Sequence, residues 1–173
     1  MQNELGTDDT MSKLCSALRC YSRPLGAEQL KAIVGDACIQ LHDAGRYIQF
    51  DDTQYARNPV MSTSQVEVLV LCWRPGQISP IHDHAGSTCV VQVLTGTANE
   101  ITYTRTAKGL LIPLETRSYP TRALIASNDT DTHQLGNINP ADSDLVTLHC
   151  YSPPLVQMHR FPLSQTVLRP LLS

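Results

Sequence analysis

Two histidines separated by a single residue, His82 and His84, are the feature of this sequence with the clearest chemical potential. They lie in the stretch PGQISPIHDHAGSTCVVQVLTG (residues 75–96), and Cys89 follows five residues after the second histidine. On a β-strand, residues at i and i+2 point to the same face. Two imidazoles inside a β-barrel would form a poor core but one half of a metal site. The alternative is a pair of exposed histidines on a loop.

The elements that must position these histidines are predicted to be short strands. From about residue 65, runs rich in β-branched and aromatic residues alternate with Gly, Pro, Asn and Asp. The runs are VEVLVLCW, TCVVQVLTG, NEITYTRT, GLLIPLETRSY and DLVTLHCYS. Such runs, at a spacing of roughly 8–12 residues, are typical of an antiparallel sandwich or barrel. We therefore predict a mainly β fold.

The first fifty residues are predicted to be helical. In GAEQLKAIVGDACIQLHDAG, apolar residues at spacings of three and four form one stripe that predicts an amphipathic helix ended by Gly45. The stripe consists of Leu30, Ile33, Val34, Ala37, Cys38 and Leu41. The segment SKLCSALRCY predicts a second, shorter helix. We expect one domain over residues 1–173, with a helical N-terminal cap over about 1–50 and a β-barrel over about 51–173.

Composition indicates an ordinary globular protein. The chain has 173 residues, 42% hydrophobic and 17% charged, and a net charge of −3, which gives no reason to expect nucleic acid or an anionic membrane as a partner. There is no basic leader followed by an apolar run, and no apolar stretch reaches about 18 residues. We expect a cytoplasmic protein whose six scattered cysteines remain thiols.

The spacing around the histidine pair resembles the first motif of the cupin superfamily. Gly76 and Gly96 bracket the motif, and Cys89 occupies the position that usually holds an acidic ligand. Further on, His133 followed by three residues and Asn137 resembles the second cupin motif, whose histidine is the third metal ligand. The resemblance implies an antiparallel cupin-type β-barrel, or jelly roll, that carries N-terminal α-helices and binds a metal.

Three segments narrow the resemblance to one family. "CWRPGQISPIHDHAGSTC", "YARN" and "LHCYSPP" resemble the cysteine dioxygenases, in their bacterial type, over the chain from about Tyr55 to Pro154. These enzymes are iron-dependent cupins that oxidise the thiol of L-cysteine to a sulfinate. The resemblance implies that His82, His84 and His133 bind Fe(II) and that the substrates are L-cysteine and O₂.

A site of three neutral imidazoles suits this chemistry. In an octahedral ferrous ion, three positions stay open, as oxygen-activating non-heme iron needs. With no protein anion on the iron, a substrate that brings negative charge is favoured, and a coordinated thiol loses its proton. Of the other histidines, His42 lies in a helical pattern and His159 in a C-terminal loop, and we predict no chemistry for either.

The family resemblance also implies roles around the substrate. Arg57, in "YARN", corresponds to the arginine that binds the substrate carboxylate, and a guanidinium offers a planar charged fork for it. Tyr55 is expected to line the same mouth. Cys89 and Tyr151 correspond to a cysteine and a tyrosine that are joined by a thioether bond. The alternatives are an exposed arginine at position 57 and an unmodified core thiol at position 89.

The strand DLVTLHCYS places three polar side chains on one face. Thr147, His149 and Tyr151 alternate along it, so all three should point inward and could pass hydrogen bonds from one to the next. His149 and Tyr151 are the expected catalytic side chains beside Cys89, with Thr147 behind them. Trp73, the only tryptophan, corresponds to an aromatic near the family's site. The family also implies a cis peptide bond between the serine and the first proline of LHCYSPP.

The resulting prediction is a monomeric non-heme Fe(II) dioxygenase that converts L-cysteine to L-cysteine sulfinic acid, within cysteine catabolism and taurine metabolism. One alternative is a dioxygenase of 3-mercaptopropionate or another small thiol. Such relatives tend to lack an arginine at the place of Arg57 and the crosslinking cysteine. Another alternative is a metal-binding or thiol-sensing cupin without turnover.

Overall fold

The computed structural model describes residues 10–128, 131–141 and 143–166. Helices come first along the chain and strands follow. The helices are α1 (Thr10–Arg19), α2 (Ala27–Ala37) and two 3₁₀ helices, Leu41–Tyr47 and Leu163–Gln165. The strands are β1 (Ala56–Ser62), β2 (Glu67–Trp73), β3 (Ile81–His82), β4 (Thr88–Thr95), β5 (Thr97–Arg105), β6 (Leu111–Pro120), β7 (Leu124–Ser127), β8 (Thr132–Gly136), β9 (Leu145–Ser152) and β10 (Arg160–Phe161). No helix in the described ranges has both the length and the apolar character needed to cross a bilayer.

The strands form two five-stranded sheets. One sheet has the order β1-β2-β9-β4-β7 and the other the order β10-β3-β8-β5-β6. Every strand pair in both sheets is antiparallel. The mainly β, antiparallel fold with N-terminal helices that the sequence predicts is therefore confirmed. The single-domain organisation over residues 1–173 stays a prediction.

The first sheet is buried on both faces, because the side chains of its central strands alternate between two cores. One core lies between this sheet and the helices, and contains Val68, Val70, Cys72, Leu148 and Cys150. The other lies between the two sheets, and contains Leu69, Leu71, Trp73, Cys89 and Tyr151. The predicted alternation of β9 is thus confirmed.

The helical region differs from the sequence prediction. The apolar stripe does not continue as one helix to Gly45, because Cys38 adopts a left-handed conformation with a φ of 50° and ends α2. The backbone N–H of Gln40 then donates to the Asp43 carboxylate at 2.8 Å, which caps a separate 3₁₀ helix. Leu41, the last residue of the predicted stripe, is exposed. The predicted single helix was therefore wrong beyond Ala37.

The two glycines of the first motif turn the chain as expected. Gly76 has a φ of 88° and Gly96 a φ of 82°, in the left-handed region that favours glycine. A Cβ on Gly96 would also lie 2.8 Å from the backbone oxygen of Asp144. The backbone of Asn137, from the second motif, pairs with the first turn, because Gly76 N–H donates to Asn137 O at 2.6 Å. The two motifs thus meet through backbone hydrogen bonds.

Candidate active site

Three histidine rings converge between the sheets. His82 ends β3, His84 follows in the next turn, and His133 lies on β8 directly opposite His82 in the strand register. The potential ligand atoms of the three side chains all lie within 4.8 Å of one another, and the Nε2 atoms of His84 and His133 are 3.2 Å apart. All three residues are buried. The i, i+2 reasoning placed both residues of the pair on a strand, whereas His84 reaches the cluster from a turn.

Hydrogen bonds on the far side of two rings fix their tautomers. The Nδ1–H of His82 donates to the carbonyl oxygen of Pro80 at 2.9 Å, and that of His133 donates to Glu100 Oε1 at 2.7 Å. A carbonyl and a carboxylate only accept, so Nδ1 carries the proton in both rings and the Nε2 lone pairs remain free. This arrangement, with outer groups orienting inner nitrogens, fits a bound divalent metal.

Burial keeps two of the imidazoles neutral. Burial, followed by the electrostatic interaction with His133, lowers the pKa of His82 to about 4 and that of His84 to about 3. Burial also lowers the pKa of His149 well below its usual value. Because a metal competes with protons for the ring nitrogen, these shifts leave the lone pairs of His82 and His84 available at neutral pH.

We predict that the metal-free protein loses stability as the pH falls from about 6.5 towards 4. In the unfolded chain histidines gain a proton near pH 6.5, whereas His82 and His84 stay neutral until about 4 and about 3, so lower pH favours unfolding. Between pH 7.5 and 5 the melting temperature should fall by at least about 5 °C. Thermal melts followed by circular dichroism measure this shift.

The control for this pH effect compares two histidine substitutions. His84→Asn removes one of the depressed groups and should flatten the pH dependence. His42→Asn changes a side chain that is 82% exposed, and should leave the pH dependence as it is in the native chain. A melting temperature that stays constant between pH 7.5 and 5 would contradict the prediction.

Glu100 is a site residue that sequence reasoning missed. Its residue is only 5% exposed, and its second carboxylate oxygen, Oε2, accepts a hydrogen bond from the Tyr119 hydroxyl at 3.0 Å. Burial raises the pKa of Glu100, but the hydrogen bond from His133 and the electrostatic interaction with it outweigh burial, and the net pKa lies below its usual value. The available sequence signal was an acid inside the predicted strand NEITYTRT, because glutamate is depleted in strands.

One cavity contains most of the predicted site residues. It is lined by Tyr55, Arg57, Leu71, Trp73, Ser79, His82, His84, Cys89, Val91, His133, Leu135, His149 and Tyr151. Arg57 enters from β1, with its guanidinium carbon 6.0 Å from the centroid of the Tyr151 ring. Tyr55 stacks on Trp73 with ring centroids 4.3 Å apart, so both aromatics form one wall.

A chain of hydrogen bonds runs from Trp73 to Tyr151. The Trp73 Nε1–H donates to Thr147 Oγ1 at 3.0 Å, Thr147 Oγ1 lies 2.9 Å from His149 Nε2, and His149 Nδ1 lies 3.1 Å from the Tyr151 hydroxyl. Indole can only donate, so the simplest arrangement has the Thr147 hydroxyl donating to Nε2 and the His149 Nδ1–H donating to the phenol oxygen. The Tyr151 hydroxyl proton is then not used by His149, and the other hydrogen-bond partners of this hydroxyl are Cys89 and Arg57, which also line the cavity.

Cys89 and Tyr151 face each other across β4 and β9. They are direct register partners, and both are buried. Burial raises the pKa of Cys89 to about 12 and that of Tyr151 well above its usual value, so both side chains are neutral at pH 7. The Tyr151 ring centroid is also 5.7 Å from that of His84. The phenol therefore lies between the cysteine and the histidine cluster.

An ion pair borders the site. His159, for which we predict no chemistry, pairs with Asp83, the residue between the two first-motif histidines, with Nδ1 3.0 Å from Oδ1. Sequence spacing gave no sign of this contact because 76 residues separate the pair. The peptide bond between Ser152 and Pro153 is cis, as the family resemblance implied. None of the six cysteines, all of which lie in the described ranges, forms a disulfide bond.

Comparison with known proteins shows the family of the chain that contains this cavity. The sequence model of the family described as Cysteine dioxygenase type I matches residues 23–164, most of the chain. The chain belongs to the cysteine dioxygenase type I family. Among members of this family, cysteine dioxygenase type 1 of Homo sapiens is 29% identical over 141 residues, covering 79% of this chain and 70% of the human protein.

Two further relatives give a similar picture. Cysteine dioxygenase type 1 of Rattus norvegicus is 31% identical over 119 residues, which cover 66% of this chain and 59% of the rat protein. That of Danio rerio is 24% identical over 167 residues, covering 92% of this chain and 83% of the fish protein. Membership of the cysteine dioxygenase family supports thiol dioxygenase activity, and together with the buried histidine cluster it supports a bound metal.

Solved structures confirm the cupin-type fold. A double-stranded β-helix protein of Klebsiella pneumoniae superposes with a TM-score of 0.56 at 14% identity, covering 68% of this chain and 87% of that one. A Thermus thermophilus protein superposes with a TM-score of 0.51 at 19% identity, covering 66% of this chain and 98% of that one. At these identities the likeness concerns the fold alone.

Proposed function

We propose that the chain is an Fe(II)-dependent dioxygenase that oxidises L-cysteine with O₂ to L-cysteine sulfinic acid. The observation that carries the proposal is the shared cavity, in which three buried imidazoles and one guanidinium line the same space. The imidazoles suit a metal, and the guanidinium suits a carboxylate. An amino acid with a thiol side chain offers groups for both.

In the proposed site, His82, His84 and His133 hold the iron. Bound iron would supply the redox chemistry through which dioxygen reacts with a thiol, and would favour the thiolate form of the substrate. The three nitrogens are neutral ligands and leave coordination positions for substrate. This open face is the chemical reason for preferring iron and oxygen chemistry to a closed structural metal site.

Arg57 is proposed to bind the substrate carboxylate. Burial lowers the pKa of its guanidinium, but interactions with Tyr151 and Tyr55 outweigh burial and raise the net pKa. Arg57 therefore stays charged in a partly buried position, where hydrogen bonds to a carboxylate are strong. Tyr55, held against Trp73, would limit the space beside the substrate.

Tyr151 is proposed to donate its hydroxyl proton in a hydrogen bond as negative charge develops on oxygen. His149 and Thr147 would hold the phenol oxygen as an acceptor from behind, which leaves the Tyr151 O–H for the cavity. The neutral state of His149 suits this orienting role, because the Nδ1–H tautomer then has one available acceptor nitrogen for Thr147.

Cys89 and Tyr151 are proposed to form a thioether bond. The bond would join Sγ to the ring carbon beside the phenol oxygen, with loss of two hydrogens. Dioxygen, a substrate of the proposed reaction, would accept the two electrons and two protons. The facing positions of the two residues on β4 and β9 support this proposal.

We predict that Cys89→Ser removes the crosslinked species while retaining partial activity. Iron-loaded native protein exposed to oxygen and L-cysteine should yield a form lighter by two hydrogen masses, and usually a faster band on a denaturing gel. The variant should show neither. Intact-protein mass spectrometry measures the difference. Complete loss of oxygen uptake in Cys89→Ser would instead mean that the thiol has a direct catalytic role.

A panel of thiols tests the proposed function as a whole. Iron-loaded protein is supplied with L-cysteine, cysteamine or 3-mercaptopropionate, and oxygen uptake and product mass are recorded. We expect L-cysteine to be oxidised most efficiently. A preference for 3-mercaptopropionate would mean that this thiol, and not L-cysteine, is the substrate. No oxygen uptake with any thiol at full metal loading would favour a thiol-sensing cupin without turnover. A cytoplasmic location and a monomeric state remain predictions from the sequence.

A further inference from the structure

The histidine cluster has a carboxylate directly behind one of its members. Within the described ranges, the group of side chains placed to hold a metal consists of three histidines and no acid. Three neutral imidazoles bring no negative charge to offset a divalent cation. Glu100 lies one hydrogen bond away from the cluster, through the Nδ1–H of His133.

Two strands hold this carboxylate in place. Glu100 lies on β5, which pairs with β8 on one side and with β6 on the other, so the carboxylate is positioned between His133 and Tyr119. One oxygen accepts from His133 at 2.7 Å and the other accepts from the Tyr119 hydroxyl at 3.0 Å. With both oxygens engaged, the carboxylate keeps its orientation and prevents the His133 ring from rotating.

Glu100 borders a cleft that is distinct from the site cavity. It is absent from the lining of the site cavity but lines a second cleft between β6 and β7, which are edge strands of the two sheets. Arg57, in contrast, enters the site from β1, at the opposite edge of its sheet. Glu100 therefore acts on the cluster from the side opposite the proposed carboxylate-binding arginine.

We propose that Glu100 is a positioning residue that fixes His133 for metal binding and supplies the negative charge that three neutral imidazoles lack. A carboxylate that accepts from Nδ1–H raises the electron density, and hence the basicity, of Nε2. Its charge is also close to the metal position in a poorly solvated interior, where electrostatic interactions are strong. The inference rests on the metal site of the proposed function.

The test is Glu100→Gln, because glutamine keeps the size of the side chain and an oxygen that can accept from His133 but removes the charge. Metal-free protein is titrated with Co²⁺ or Fe²⁺, without oxygen, against a chromophoric chelator. We expect metal affinity to fall about 10–100-fold. The reduction potential of bound iron should also become more positive. The carboxylate charge stabilises ferric over ferrous iron, and Glu100→Gln removes that charge.

Two further variants separate charge from packing. Glu100→Leu removes the hydrogen bond as well, so affinity should fall further and the Co²⁺ absorption spectrum should change shape as His133 loses its fixed orientation. Tyr119→Phe removes one donor to the carboxylate and should weaken metal binding by less than about tenfold. Melting temperatures of the metal-free variants report folding separately from metal affinity.

Glu115→Gln is the matched control. It makes the same chemical change on the hairpin of β5 and β6, but Glu115 is exposed and pairs with Arg117 at 2.6 Å instead of with a histidine. Its metal affinity and reduction potential should equal those of the native protein. An equal loss in Glu115→Gln and Glu100→Gln would overturn the inference, because the effect would then come from general surface charge.

The outcomes distinguish this inference from the proposed function. If native protein retains no metal in the titration, the proposed metal site fails and Glu100 loses its role with it. If native protein binds metal tightly and Glu100→Gln binds it equally, within about twofold, with an unchanged reduction potential, only the role of Glu100 is overturned. Weaker binding and a more positive potential in Glu100→Gln, with Glu115→Gln unchanged, support the inference.

Discussion

His133→Ala should lose both metal and oxygen uptake. His133 is opposite His82 in the strand register, its Nε2 lies 3.2 Å from that of His84, and its Nδ1–H donates to Glu100. Without His133, only two imidazoles of the cluster remain to bind the metal. Changes behind a metal ligand already cost about 10–100-fold in affinity, and loss of the ligand should cost at least about 100-fold. Elemental analysis after desalting, together with an oxygen electrode, measures both effects.

The matched control for this loss is His42→Ala. It removes an imidazole whose side chain is 82% exposed, and should keep native metal content and oxygen uptake. Native metal content in His133→Ala would remove this histidine from the ligand set. Restoration of metal binding in His133→Ala by added free imidazole would further support a ligand role.

Arg57→Ala should lose efficiency with L-cysteine but not with cysteamine, which lacks a carboxylate. Two charge-assisted hydrogen bonds from a guanidinium to a carboxylate are worth roughly 3 kcal/mol or more, so kcat/KM for L-cysteine should fall at least about 100-fold. Cysteamine should change by less than about threefold, because it makes no such contact. Steady-state oxygen uptake with both thiols measures the two ratios.

Two variants sharpen this test. Arg57→Lys keeps the charge but not the planar fork, so its loss with L-cysteine should be intermediate. Arg160→Ala removes an exposed arginine that lines an outer pocket together with Arg57, and should change kcat/KM for L-cysteine by less than about threefold. Equal losses for the two thiols in Arg57→Ala would contradict a carboxylate clamp.

The sequence predicted the framework of the barrel through runs rich in β-branched and aromatic residues, separated by turn residues. Each of the five runs identified as strands falls largely in a strand: β2, β4, β5, β6 and β9. Their burial differs: β2 and β9 are buried along almost their whole length, whereas most of β6 is exposed. The remaining strands include β3 and β10 of two residues each, which are too short to show a period. The helix break at Cys38 was missed because apolar spacing continues through it.

The site residues that the sequence predicted lie in recognisable motifs, whereas the residues that it missed contact the site only through the register of paired strands. The histidines, Arg57, Cys89 and Tyr151 lie in short segments whose residue types and spacing carry the signal. Glu100 contacts His133 across two paired strands and 33 residues of sequence, and only the register reveals that contact. His159 reaches Asp83 across 76 residues for the same reason.

Oxidation of L-cysteine by iron-loaded protein under heavy-isotope dioxygen tests the central claim most directly. The product is analysed by mass spectrometry for the isotope on sulfur. We predict L-cysteine sulfinic acid in which both sulfinate oxygens carry the label, because a dioxygenase transfers both atoms of one dioxygen molecule. Sulfinate with one labelled oxygen, cystine as the only product, or no reaction at full iron loading would contradict it.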